Sequence, residues 1–146
     1  MGSAINNATV NVSSYGGDAT AIVNQTIAQK GHGKGSASNL ADVTATANGG
    51  NANVDINQTI YMQGHYKGGA SNLADVTATA NGGNANVDIN QTIYQRGRVK
   101  GPASNTADVT ATANGGDVNV ELHQNIVQLK GKPPEFLKYA HKSSMV

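Results

Sequence analysis

At 146 residues with a formal charge of +1, the chain has the length of one domain. It contains no cysteine and no tryptophan, and Phe136 is its only phenylalanine, so neither a disulfide framework nor a thiolate metal site is available and a bulky aromatic core is excluded. The small net charge conceals a segregation, with Lys and Arg confined to the connecting segments and the C-terminal tail while Asp lies in or beside the apolar-patterned stretches.

Four near-copies of a roughly 33-residue unit fill most of the sequence. Such a period means that each unit buries its apolar face against the next one. The first unit alternates Ala8, Val10 and Val12 with polar residues, and then does so again through Ala19, Ala21 and Val23. The second is the clearest. Ala41, Val43, Ala45 and Ala47 alternate with Asp42, Thr44 and Thr46, the period of a half-buried strand. Asn48, Gly49, Gly50 and Asn51 then supply residues that accept positive φ, as a tight reversal needs. A second strand follows through Ala52, Val54 and Ile56 to Ile60, and a corner is expected from Tyr61 to Ser71. The third unit nearly repeats the second. The fourth keeps the pattern with Val109, Ala111 and Ala113, then Val118, Val120 and Leu122. Pro133 and Pro134 end strand pairing, because proline lacks the donor, and residues 133–146 are expected to form a cap or a docking tail.

The domain is therefore expected over 1–132, with units at about 5–37, 38–70, 71–103 and 104–132. Two all-β architectures fit. In a four-coil β-solenoid the two strands of a unit face each other as an arch, and each pairs with its equivalent in the next unit. In an eight-stranded antiparallel meander they pair as a hairpin, a role that Asn-Gly-Gly-Asn fills equally well. Small Ala and Val side chains underfill a barrel but suit two closely packed flat sheets, which favours the solenoid. Columns of amides agree with it. Gln25, Gln58, Gln91 and Gln124 recur in register, as do Asn39, Asn72 and Asn105, and stacked amides form hydrogen-bonded ladders. Alternation places Gln58 inside, where such a ladder would satisfy it.

All four units hold Asn-x-Ala-x-Val, at Asn6/Ala8/Val10, Asn39/Ala41/Val43, Asn72/Ala74/Val76 and Asn105/Ala107/Val109, and Gln-x-Gly precedes two of them at Gln29/Gly31 and Gln95/Gly97. This text resembles the curlin repeat family, the subunits of bacterial curli amyloid fibres. The unit here is longer than that family's, and Ala45, Ala78 and Ala111 stand where the family pattern ends on Gln. The resemblance implies a two-sheet β-solenoid that polymerises end to end into an extracellular fibre.

Four further sets of residues could carry chemistry. His32, His65 and Arg98 share a register, as do Lys34, Lys67 and Lys100, giving a basic corner suited to a polyanionic surface or polysaccharide. The bland reading is that charged turns keep an edge soluble. Nucleic acid is disfavoured because no interleaved aromatics accompany the charges. Thr44/Thr46, Thr77/Thr79 and Thr110/Thr112 make an outward array resembling the ice-binding faces of antifreeze proteins, although threonine also simply suits a wet strand. Asn53, Asp55, Asn57, Thr59 and Tyr61 loosely resemble a monocot mannose-lectin site. Asp42, Asp75 and Asp108 form an acidic column, as do Asp55, Asp88 and Glu121; neighbours repel by roughly 1 kcal/mol, so both columns are expected to face solvent or meet cations such as calcium.

No Ser/His/Asp arrangement, calcium loop or phosphate-binding glycine loop is present, so neither enzyme activity nor a cofactor is expected. No apolar run has the length of a bilayer span, and no leader-like segment opens the sequence. The expectation is a self-associating structural protein, extracellular or at the cell surface, with ice binding and carbohydrate binding as alternatives.

Overall fold

A computed structural model describes residues 2–130. The expected tail at 133–146 lies outside the described residues. Eight strands follow one another: β1 (Ala4–Tyr15), β2 (Ala19–Gly33), β3 (Ala37–Asn48), β4 (Ala52–Tyr66), β5 (Ala70–Asn81), β6 (Ala85–Val99), β7 (Ala103–Asn114) and β8 (Val118–Leu129). They form two four-stranded sheets, β1-β3-β5-β7 and β2-β4-β6-β8, and every pairing is parallel. Equivalent residues of successive units pair directly: Val10 with Val43, Val43 with Val76, Val76 with Val109. This is a β-solenoid of four coils. The meander is excluded, since no two consecutive strands share a sheet.

The reversal explains why consecutive strands face one another rather than pair. Gly49 has a φ of 96°, which an L side chain rarely adopts, and a Cβ on the following Gly50 would run into the backbone of Gly17 one coil away. The chain turns in three residues and stacks tightly on its neighbours, with the Gly16 N–H of the coil before donating to the Asn48 carbonyl and the Gly49 N–H donating to the Asn81 carbonyl of the coil after, both at 2.6 Å.

The second strand is longer than its apolar pattern indicated. β4 continues past Ile60 to Tyr66 and β5 opens at Ala70, so the corner is only residues 67–69 and not Tyr61 to Ser71. Alternation in fact persists. Met62 and Tyr66 point inward and are buried, and Gly64 between them, at φ 133°, lets the strand bend without losing its pairing to Gly31 and Gly97. A Cβ there would collide with the Gly31 carbonyl oxygen.

Inside, the apolar residues divide into two compartments. Ala41, Val43, Ala45 and Ala47 meet Ala52, Val54 and Ile56 on the reversal side, while Ile60, Met62, Tyr66 and Ala70 gather on the corner side. Asn39 and Gln58, both fully buried, lie between them. The two sheets are staggered, so β2 to β7 each touch two strands of the facing sheet, whereas β1 touches only β2 and β8 only β7.

Candidate assembly interface

Alternation puts Asn39 in phase with Ala41 and Val43, and Gln58 in phase with Ile56 and Ile60, so both amides enter the interior because their neighbours must. Burial then obliges them to be paired, since an unpaired buried polar group costs about 1–3 kcal/mol. The adjoining coil supplies the partner. Gln58 Nε2 donates to Gln25 Oε1 at 2.8 Å, Gln91 to Gln58 at 2.9 Å and Gln124 to Gln91 at 2.8 Å. Asn6 Nδ2 donates to Asn39 Oδ1 at 3.1 Å, Asn39 to Asn72 at 3.0 Å and Asn72 to Asn105 at 2.9 Å.

Each of these amides except Gln124 also ties the two sheets together. Gln58 Nε2 reaches the Leu73 carbonyl at 2.9 Å, and Asn39 Nδ2 reaches that of Thr59 at 3.1 Å. These carbonyls accept only, which fixes the amide orientation. The ladders consequently have directions: the Asn column donates toward the fourth coil and the Gln column toward the first. At the last rung Asn105, with no further Asn above it among the described residues, donates to the Gln91 carbonyl at 3.0 Å, where Asn39 and Asn72 lie 3.4 and 3.5 Å from their equivalents.

No family model matches this chain, and no curated protein or solved structure matches it.

Other ladders had no apolar alternation to announce them. Asn81 donates to Asn48 and Asn114 to Asn81, both at 2.8 Å; Asn86 donates to Asn53 at 2.8 Å and Asn119 to Asn86 at 2.9 Å. Asn51 and Asn84 accept through side-chain oxygens from the backbone N–H of the next coil, at 2.8 Å for each, and Asp18 does so at 2.7 Å. Recurrence at the repeat period was the available signal. Gln95 was also missed: it is buried opposite Met62 and receives Gln128 at 2.7 Å, whereas Gln29 Oε1 is buried with no partner because Met62 has no donor to offer.

The basic columns are real columns, but His32, His65 and Arg98 sit on strands rather than in a turn; only Lys34, Lys67 and Lys100 occupy the corner. The longer strands account for this. The two histidine rings stack with centroids 4.5 Å apart. Since strand faces alternate, Lys30, His32 and Lys34 share one outward row, and Arg96, Arg98 and Lys100 another. Among the described residues none of these cations lies within ion-pair distance of a carboxylate; the single ion pair found is His123 with Glu121, at 3.9 Å on the surface. His65, Lys67, Arg98 and Lys100 line a groove of about 260 Å³.

Thr44 and Thr46 stack on Thr77 and Thr79, and these on Thr110 and Thr112, facing outward from the first sheet. Asn11 and Ser13 interrupt the rows in the first coil. Asn53 and Asp55 line a shallow open groove of about 640 Å³ on the second sheet. Asp42, Asp75 and Asp108 are exposed; Asp55 and Asp88 are half-buried and accept from Asn57 at 2.8 Å and Asn90 at 3.1 Å, which offsets part of their mutual repulsion. Among the described residues no three His, Cys, Asp or Glu side chains are grouped to hold a metal, and no helix is long and apolar enough to cross a membrane.

Proposed function

We propose that this chain is a self-assembling structural protein whose solenoids stack end to end into an extracellular or surface fibre of amyloid-like type. One observation carries the reading: the buried Asn and Gln columns pass through all four coils and reach both outer rungs, where the backbone edges of β1, β2, β7 and β8 have no strand partner among the described residues. An open, flat edge is a template for another strand. The rival faces are less continuous. Thr-x-Thr stops at the first coil, and the Asn-x-Asp-x-Asn row becomes Asn119, Glu121 and His123 in the fourth.

Growth adds backbone hydrogen bonds across the joint, while the ladders hold the register. The basic rows of the first three coils, which give way to Leu129 opposite Arg96 in the fourth, then recur along the fibre as patches able to engage an acidic polysaccharide or another polyanionic surface. Electron microscopy and fibre diffraction of incubated protein test the proposal. Unbranched filaments with a reflection near 4.8 Å along the axis are expected; particles that stay single at high concentration would refute it. For the patches, replacing Lys67 and Lys100 together by Ala is expected to lower retention on an immobilised acidic polysaccharide, and added salt to weaken retention of the unaltered chain. Retention unchanged by both would remove the patches from the proposal.

A further inference from the structure

We infer that copies join in one polarity only, head to tail, the β1 and β2 edge of an incoming copy docking on the β7 and β8 edge of the last in repeat register. The inference rests on the fibre reading above and adds the identity of the two faces that meet.

The stagger of the sheets makes the ends unlike. β8 is the one strand of its sheet lacking a strand above it in the facing sheet, a place that β3, β5 and β7 fill for β2, β4 and β6. Its inward side chains are left open: Val118 is 48% exposed, Val120 and Leu122 45%, Ile126 44%. β1 lacks the converse neighbour, and its inward Ala8, Val10 and Val12 are only partly covered. Each end is missing the strand that the other end presents. Two like ends cannot make this exchange.

Side-chain size agrees. In the middle coils Ala52, Val54 and Ile56 stack on Ala85, Val87 and Ile89, like on like. The outer strands depart from this: Val118 on β8 is larger than Ala85, with Val120 and Leu122 matching Val87 and Ile89 in bulk, while Ala21 and Val23 on β2 are smaller than Val54 and Ile56. Head-to-tail stacking sets the enlarged Val118 on the small Ala19 and the full-sized Val120 and Leu122 on the reduced Ala21 and Val23. Tail on tail offers Val118 no small partner.

Hydrogen-bond direction selects the same polarity. Gln124 Oε1 faces onward with no donor, and Gln25 retains one N–H after donating to the Leu40 carbonyl at 2.9 Å. Asn6 Oδ1 is the corresponding free acceptor, and Asn105 is the donor that reaches it by releasing the Gln91 carbonyl. A joint of like ends brings acceptor against acceptor in at least one column. Charge is compatible too: Thr9 and Ile22 of the incoming copy meet the acidic columns ending in Asp108 and Glu121, so neither column gains another carboxylate. A heterologous contact of this kind propagates as a filament when its rotation does not close a ring.

The experiment uses the full chain with one end blocked, as Val10→Lys or as Leu122→Lys, each checked for strand content by circular dichroism. Ala8→Lys and Ile126→Lys replace any variant that loses its fold. By sedimentation, each blocked variant alone is expected to remain monomeric and an equimolar mixture to stop at a dimer, doubling the mass, while the unaltered chain polymerises. A blocked variant that dimerises by itself, or a mixture that stays monomeric beside polymerising unaltered protein, overturns the polarity and leaves the fibre reading standing. Unaltered protein that never assembles overturns the fibre reading, and the joint with it.

Discussion

The two middle coils and the two outer coils have nearly the same text and very different surroundings. In the second and third coils the inward side chains are buried except for the partly covered Val99, and identical residues lie on one another save where Met62 meets Gln95 and Tyr66 meets Val99. In the first and fourth the letters drift: Tyr15 replaces the Asn48 column, Asp18 and Asp117 flank Asn51 and Asn84, and Leu122 stands for Ile56. Where a coil is enclosed by its neighbours, stacking of like on like constrains each position. Where it faces outward, the constraint passes to whatever docks there. A substitution should therefore cost more in the middle than at an end, and the difference should shrink when ends become joints.

The largest contrast is expected between two glycines. Gly64→Ala combines positive φ with a collision against the Gly31 carbonyl, and is expected to cost about 3 to 5 kcal/mol in urea denaturation. At Gly16, φ is 80° but a Cβ would meet nothing within 4 Å, so Gly16→Ala should cost only the conformational term, about 1 to 2 kcal/mol. Equal costs would mean that coil-to-coil contact does not set the tolerance.

A second pair probes the ladder. Gln91→Leu leaves Gln58 Oε1 and Gln124 Nε2 without partners and removes the side-chain bond to the Thr106 carbonyl, for an expected loss of roughly 2 to 4 kcal/mol. Gln124→Leu orphans a single acceptor, Gln91 Oε1, beneath the half-open last rung where water can approach, and about 1 kcal/mol is expected. The same two variants sharpen the comparison in assembled protein, since Gln124 becomes an interior residue there. Its replacement should then slow filament growth far more than it lowers monomer stability, a ratio read by comparing growth kinetics with denaturation.

The coils were legible because burial acts on every second residue, so the alternation through Ala41 and Val43, its continuation through Val54 and Ile56, and the repeat period all report the same constraint. The interior position of Gln58 followed from that parity alone. What stayed hidden depended on neighbours one coil away. Tyr61 to Tyr66 reads as a corner because Gly64 and a run of polar residues interrupt the apolar text, yet the glycine is there to let two coils approach and the strand to bend. The half-coil stagger, which makes the two ends unlike, is a relation between sheets and leaves no periodic trace. The direction of each ladder is likewise set by a carbonyl on the facing strand, Leu73 for Gln58 and Thr59 for Asn39.

The smallest expected effect falls on the one column where head-to-tail stacking brings carboxylates together. In the middle, Asn51 and Asn84 each accept the backbone N–H of the next coil, rung after rung, at 2.8 Å. At the joint Asp117 would take up that role toward the N–H of Asp18 in the next copy, with the two carboxylates one strand spacing apart. Such a pair repels by roughly 1 kcal/mol in water, about a fivefold weakening of each joint. Asp117→Asn restores the interior pattern and removes that repulsion without touching a contact of the monomer, because Asp117 enters its own coil through its backbone N–H. The critical concentration for assembly should fall about fivefold while the denaturation midpoint stays where it was. If instead both are unchanged in low salt, where repulsion between exposed charges is largest, Asp117 and Asp18 do not meet, and copies are joined in some other register.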